Sequence, residues 1–290
     1  MFTDSPATPA RVEAVVDVVR WFDGTVDTET LAGVVQPRCL PGVKTSSNQG
    51  RESIQAASEL GLIKANRSVT EATFDVRVPT SSRALVLSSF DRIVLAGTQV
   101  ERHFALFYAF LLGFGSALES LGREELVARF ETVVYRGKRG ENPFNSSKLS
   151  GQLRWMRYAG LGWHDSKDNF QPNPYKRVWR QLRTIFKGTP DLPAQGFMAA
   201  LANQCPEVDG GTLFLQANPD YKIDQMACTA GLSHALIDLH HDGIIRLHGY
   251  PDSAGWSLKA AEPTSDTKTF QSDRFDRVEL IQLNSEESIA

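Results

Sequence analysis

The sequence predicts a mainly helical chain with small β-hairpins, an α+β fold. Three observations lead there. The composition is that of a folded protein, 41% hydrophobic and 22% charged over 290 residues, enough apolar material for two or three domains. Apolar residues recur at helical spacing along several segments. One local pattern then occurs three times: such a helix ends in a glycine and runs directly into a short apolar strand. Its members are Ile54, Ala57, Gly61, Leu62; Leu153, Met156, Gly160, Leu161; and Leu236, Leu239, Gly243, Ile244. In each set the first two residues share a helical face. The glycine stands where a left-handed cap is needed, a conformation it adopts without a Cβ penalty. The next apolar residue fills the gap between helix and strand. The third helix of a winged helix enters its wing in this way. The fold expected is therefore tandem winged helix-turn-helix units joined by a helical connector.

The first unit is expected over residues 1–80. Arg11–Phe22 has the spacing of a first helix, Asp23-Gly24 is a turn signal, and Asp27 to Thr30 can cap a short second helix through Val35. Pro37, Pro41 and Gly42 mark a long connection. A third helix runs from about Gln49 to Leu60, and "LIKAN" and "ATFDVRV" read as wing strands around a turn near Arg67-Ser68. Residues 81–122 form the connector. It contains the most apolar run, Phe104–Phe114, which is well short of the roughly 20 residues that span a bilayer. That run reads as a core helix or as one covered by a partner subunit.

A second, basic unit spans 123–188. It holds the amphipathic segment Arg123–Tyr135, the cap cluster Asn145–Ser147, the helix in "KLSGQLRWMRYAGLGW", a polar loop, and the helix "YKRVWRQLRTIF" with Val178, Leu182 and Ile185 or Phe186 inward. A third unit spans 189–262, with helices in "AQGFMAALANQC" and "IDQMACTAGLSHALIDLHHDG". Its wing hairpin pairs "IIRLHGY" with "WSLKA" across the turn "PDSAG". Residues 263–290 form an acidic C-terminal tail, in which "FDRVELIQL" can add a strand or short helix.

The formal net charge is −3, so a nucleic-acid surface must come from local asymmetry. Between Arg129 and Lys187 thirteen Lys or Arg stand against four acids, a balance of +9, whereas Glu262–Ala290 has a balance of −4. In the second unit Gln152, Arg154 and Arg157 avoid the inward face set by Leu153 and Met156. Lys148, Gln152 and Arg154 are expected to reach a major groove, and Arg157 is expected to contact DNA beside them. Lys176, Arg177 and Arg180 are expected to hold phosphates. Six such contacts give log affinity a slope of about −5 against log salt. The first unit offers Lys44, Ser47, Asn48, Gln49 and Arg51 at the start of its third helix, cations and small polar residues suited to backbone and base-edge contact. The third unit offers His234, Asp238 and His241, which suit a protein contact better than DNA. A basic amphipathic helix can equally be a solvated face, or pair with acidic surface such as the tail.

No catalytic machinery is legible. "GVKTSS" (Gly42 to Ser47) lacks the first glycine of a phosphate loop, and there is no GxGxxG, HExxH, GxSxG or nuclease-type carboxylate spacing. His234, His241 and His248 with Asp238 form a conceivable metal set, but they sit on a polar helix surface without a metal motif. No enzyme activity, metal or cofactor is expected. Cys39, Cys205 and Cys228 are odd in number, far apart and without a CxxC pair. They support neither a zinc ribbon nor a disulfide framework and fit a reducing cytosol. No signal peptide is legible at Met1–Ala10, so the chain is expected to be cytoplasmic and away from membranes.

The segments "RESIQAASELGLI", "LRWMRYAGLGW" followed by "NFQPNPYKRVWRQL", and "LSHALIDLHHDGIIRLHGY" resemble winged-helix proteins of bacterial anti-phage islands. The type is DpdG, which accompanies 7-deazaguanine DNA-modification systems. The resemblance implies a non-catalytic, DNA-associated accessory subunit working beside an ATPase, helicase or nuclease. Three functions stay open: a DNA-binding accessory protein of a defence or DNA-modification complex; a protein-interaction adaptor gripping a partner such as an ATPase or SMC-like protein; and a transcriptional regulator, which would act as a symmetric dimer. The partners expected are double-stranded DNA and a protein such as an ATPase, helicase or nuclease subunit, with a homodimer left open.

Overall fold

The computed structural model describes residues 7–37, 48–97, 102–115, 121–136, 145–249, 255–259 and 273–282. In chain order come α1 (Pro9–Trp21), β1 (Thr25–Asp27), α2 (Thr28–Val35), α3 (Gln49–Glu59), β2 (Ile63–Ala65) and β3 (Val69–Ala72). Then follow α4 (Ser82–Phe90), a π-helical turn (Asp91–Leu95), α5 (Arg102–Phe114), α6 (Arg123–Tyr135), α7 (Ser146–Tyr158), β4 (Gly162–His164) and β5 (Phe170–Pro172). The last group is α8 (Tyr175–Ile185), β6 (Asp191–Pro193), α9 (Ala194–Gln204), α10 (Thr212–Ala217), α11 (Ala230–His241), β7 (Ile245–His248), β8 (Trp256–Ser257), β9 (Arg274–Phe275) and β10 (Arg277–Leu280). The chain is α+β, with helices dominant and the sheets small and antiparallel. Among the described residues no helix is long and apolar enough to cross a membrane.

The chain divides into two compact units. The first comprises Met1–Phe104 with Phe144–Ala159, the second Ala105–Pro143 with Gly160–Ala290.

In the first unit α1 packs against α2, α3 and α4, because Val12, Val15, Val16 and Val19 all fall on one helical face and all are fully buried. Asp27 starts α2 by accepting the Thr30 N–H at 2.8 Å, which satisfies an orphan donor of the first turn. Strands β1, β3 and β2 form an antiparallel sheet in that order, with Val26 opposite Thr70 and Ile63 opposite Ala72. The β2–β3 turn is closed by Asn66, whose Oδ1 accepts the N–H groups of Ser68 and Val69, both at 2.8 Å. Helix α7 joins this unit through Trp155. Its indole N–H donates to the Ala7 carbonyl at 2.9 Å, and its ring lies parallel to Phe90 at 5.4 Å.

In the second unit every residue of α5 from Ala105 to Leu112 is buried by the chain itself. Of the two expectations for that run, the core helix holds. Phe107 and Phe110 meet Phe130 of α6 edge-on, at 5.0 and 5.6 Å. Asn218, which ends α10, donates to the Ala109 carbonyl at 2.9 Å. A Cβ on Gly113 would collide with that carboxamide.

The second unit carries its own three-stranded antiparallel sheet, ordered β6–β10–β7, with Val278 opposite both Leu192 and Leu247. This corrects the expected hairpin. The strand after α11 pairs with β10, and Trp256–Ser257 pairs instead with Arg274–Phe275. The reason lies in the alternation of β7, which buries Ile245 and Leu247 and needs a long partner with an apolar inward residue. Segment 277–280 supplies it in Val278, so "FDRVELIQL" does add a strand.

Both three-stranded sheets follow one plan. The strand before the second helix lies at one edge, the strand after the third helix at the other, and the last strand between them. Helices α1, α2 and α3 thus correspond to α8, α9 and α11, with α10 inserted.

Gly61, Gly160 and Gly243 all have φ of +67°. After α3, Leu62 N–H reaches the Ala57 carbonyl at 3.0 Å and Gly61 N–H that of Ser58 at 2.9 Å. After α11, Ile244 N–H reaches Leu239 at 3.0 Å and Gly243 N–H reaches His240 at 3.1 Å. These paired bonds are the Schellman ending that the repeated pattern anticipated.

Candidate nucleic-acid interface

In the first unit, α7 starts at Asn145, whose Oδ1 accepts the Lys148 N–H at 3.1 Å. Leu149, Leu153, Trp155, Met156 and Ala159 face inward. Gln152 is fully buried as well, which corrects its expected place in a groove. It stands three, four and seven residues before Trp155, Met156 and Ala159, so it shares their face. Arg154 and Arg157 lie on the outer face and are exposed; Lys148 is half-buried.

Asn48 is exposed and Gln49 half-buried at the start of α3. Arg51 is exposed and ion-paired with Glu29 of α2. The Gly50 N–H donates to Gln36 Oε1 at 2.8 Å, and a Cβ there would press on the Ala32 carbonyl, so α3 starts hard against α2. Lys44 and Ser47 lie outside the described residues.

Three cations of this unit were not singled out from the sequence. Lys64 on β2 and Arg67 in the β2–β3 turn are exposed. Arg83 of α4 is exposed, with its guanidinium 5.5 Å from the Tyr158 ring centre at the end of α7. The available signal was "IKANRS", two cations flanking an Asn turn between apolar strands.

In the second unit, Val178, Leu182, Ile185 and Phe186 of the α8 segment face inward as expected. Lys176 and Arg180 are half-buried, and Arg183 and Lys187 are exposed. Arg177 is 2% exposed, a second correction. Its Nε donates to Glu207 Oε1 at 2.7 Å and its Nη2 to the Gln204 carbonyl at 2.9 Å. Position 177 borders the apolar stripe at 178, and the turn after α9 carries Glu207 over it. Two buried charges paired in this way serve the interior and leave no guanidinium for a phosphate.

The sheet of this unit is electrically balanced. Glu279 accepts from Arg246 at 3.4 Å and faces His248 Nε2 at 3.1 Å, and Arg277 pairs with Asp191. His248 thus faces Glu279 of the neighbouring strand. Among the described residues no three His, Cys, Asp or Glu side chains are placed to hold a metal ion.

A family model described as DpdG-like matches residues 1–253. No curated protein and no solved structure matches the chain.

Proposed function

The chain belongs to the DpdG-like family, and on that premise we propose that it is a non-catalytic, cytoplasmic DNA-binding accessory protein of a bacterial defence or DNA-modification complex. Its two three-stranded halves are read as winged helices, and a separate ATPase, helicase or nuclease subunit does the chemistry. The observation that carries the reading is the exposed cationic set of the first unit: Arg154 and Arg157 on α7, with Lys64, Arg67 and Arg83. Cations on a helix face and a hairpin turn suit duplex DNA, where phosphate contacts supply affinity and orientation.

Fluorescence anisotropy on a duplex of arbitrary sequence, over a salt series, tests it. With five phosphate contacts log affinity falls against log salt with a slope of about −4 to −5. Arg154→Glu with Arg157→Glu should weaken binding at least about tenfold and flatten the slope by about 2. The proposal fails if no duplex binds at low salt, or if the double variant binds as the parent does.

A second reading, a protein-interaction adaptor, is favoured by one observation. The cations of the second unit's sheet are matched by Glu279 and Asp191, which leaves that surface little attraction for phosphates.

A further inference from the structure

A cleft of about 570 Å³ opens within the second unit, lined among others by Trp163, Asn173, Tyr175, Asp238, His241 and Asp242. One wall is aromatic. Trp163, on β4, leaves 51% of its surface exposed, unusual for the residue with the largest apolar face. Another part of the lining is acidic. Asp238 and Asp242 stand four residues apart at the end of α11, so they share one side of the helix.

The acids are held in place by neighbours. Tyr175 donates its hydroxyl to Asp242 Oδ2 at 2.5 Å. Asn173, 5% exposed, accepts the Tyr175 N–H at 2.8 Å, and its carboxamide favours the charged form of Asp238. Burial pushes the Asp238 carboxyl above the usual range, and Asp242 adds to the shift. A carboxylate so placed gains from an incoming positive charge. Lys176 already stands over the Tyr175 ring, 5.7 Å from its centre, whereas the indole of Trp163 faces solvent.

We propose that this cleft is a receptor for an arginine side chain of a partner protein, with the guanidinium laid on the Trp163 indole and forked toward Asp238 and Asp242. A flat surface beside two carboxylates matches a planar five-donor cation, which can stack and bind acid at once. An ammonium lacks the planar fork. A nucleic-acid phosphate would meet two carboxylates against Lys176 and the His241 imidazole, so charge favours a cationic occupant. The inference goes beyond the DNA reading and does not rest on it.

The test uses the full chain labelled with ¹⁵N-tryptophan, the Trp163 indole N–H signal being assigned with Trp163→Phe. N-acetyl-arginine amide is titrated at pH 8. A saturable shift of that signal is expected in the range of about 1–10 mM, the strength of one exposed stacked ion pair. Asp238→Asn with Asp242→Asn should weaken it at least fivefold, on the order of a lost charge-assisted contact. Tyr175→Phe, which frees Asp242, should weaken it by about two- to threefold. Absence of a saturable shift overturns the proposal. So does equal binding of N-acetyl-lysine amide, saturable binding of deoxyguanosine monophosphate, or unchanged affinity in the double Asn variant. The duplex-DNA assay reads Arg154 and Arg157 of the other unit, so failure of either proposal is distinguishable from failure of the other.

Discussion

The strand that follows the third helix carries cations in both three-stranded halves of the molecule, and their surroundings differ. In the N-terminal half Lys64 and, in the adjoining turn, Arg67 are exposed. In the C-terminal half Arg246 and His248 both lean on Glu279 of the neighbouring strand. The ends of the third helices differ as well. Counted back from Gly243 and Gly61, Asp238 and Asp242 of α11, beside a half-exposed tryptophan, stand where α3 has the buried Ala56 and Leu60. Backbone plan and surface charge are therefore set separately. An acid stands opposite the strand cation in both halves, Glu71 across from Lys64 and Glu279 across from Arg246, and among the described residues only the second pair closes into an ion pair.

The contrast can be broken most forcefully at Arg177 and Arg51, two arginines that the sequence marks for DNA contact in different units. Arg177→Met leaves Glu207 buried without its partner and should cost about 3–5 kcal/mol in chemical denaturation. Arg51→Met removes only an exposed pair and should cost less than about 1 kcal/mol. Equal costs would mean that the burial difference does not govern these sites.

The next effect concerns two aspartates that receive backbone N–H groups at helix starts. Asp209 is buried and accepts both the N–H and the hydroxyl of Thr229, the residue that caps α11. Burial pushes its carboxyl up to about 6. The folded state then binds the proton more tightly than the unfolded state. The contribution is full below about pH 4 and is lost as pH rises through 6, a span of about 3 kcal/mol. Asp27, on the surface, is held below the usual carboxylate range by the Thr30 N–H. Its contribution has the opposite sign: it is present above the usual carboxylate value and lost as pH falls. Stability of Asp209→Asn, followed by denaturation between pH 4 and 7, should lose the decline toward neutral pH. An unchanged profile would remove Asp209 as its source.

The smallest effect expected is on DNA. Lys64→Glu with Arg67→Glu should weaken duplex binding about tenfold, or about 1.4 kcal/mol, while Arg246→Glu should leave it within about twofold. Equal losses in anisotropy would make the two hairpins equivalent and erase the comparison.

Local devices were legible in the sequence. The three junction glycines, the Asp27 and Asn145 caps and the inward set of α8 are each decided within one or two helical turns, where spacing carries the information. What spacing could not carry was partnership. Strands β1 and β6 are three residues each, too short for alternation to show. The partner of β7 lies beyond two other strands, and proximity in sequence favoured the wrong one. Gln152 and Arg177 read as surface because polar residues usually are. Gln152 shares a face with Trp155, visible only if the inward stripe is allowed to be broad. Arg177 is explained by Glu207, an acid in the turn "CPEVD" that no pattern within α8 could indicate. The cleft joins β4, the start of α8 and the end of α11, and only the folded chain brings those together.

The central place of β10 has a consequence for how the chain is made and cut. Strands β6 and β7 leave the ribosome on the order of seconds before residues 277–280 do, and until then each presents an open edge on which a neighbouring nascent chain can template. A product ending where the family match ends, at 253, would keep its helices and lose the strand that closes both edges. Expression of such a truncation should yield aggregate rather than a smaller folded protein, however dispensable an acidic terminus looks on paper.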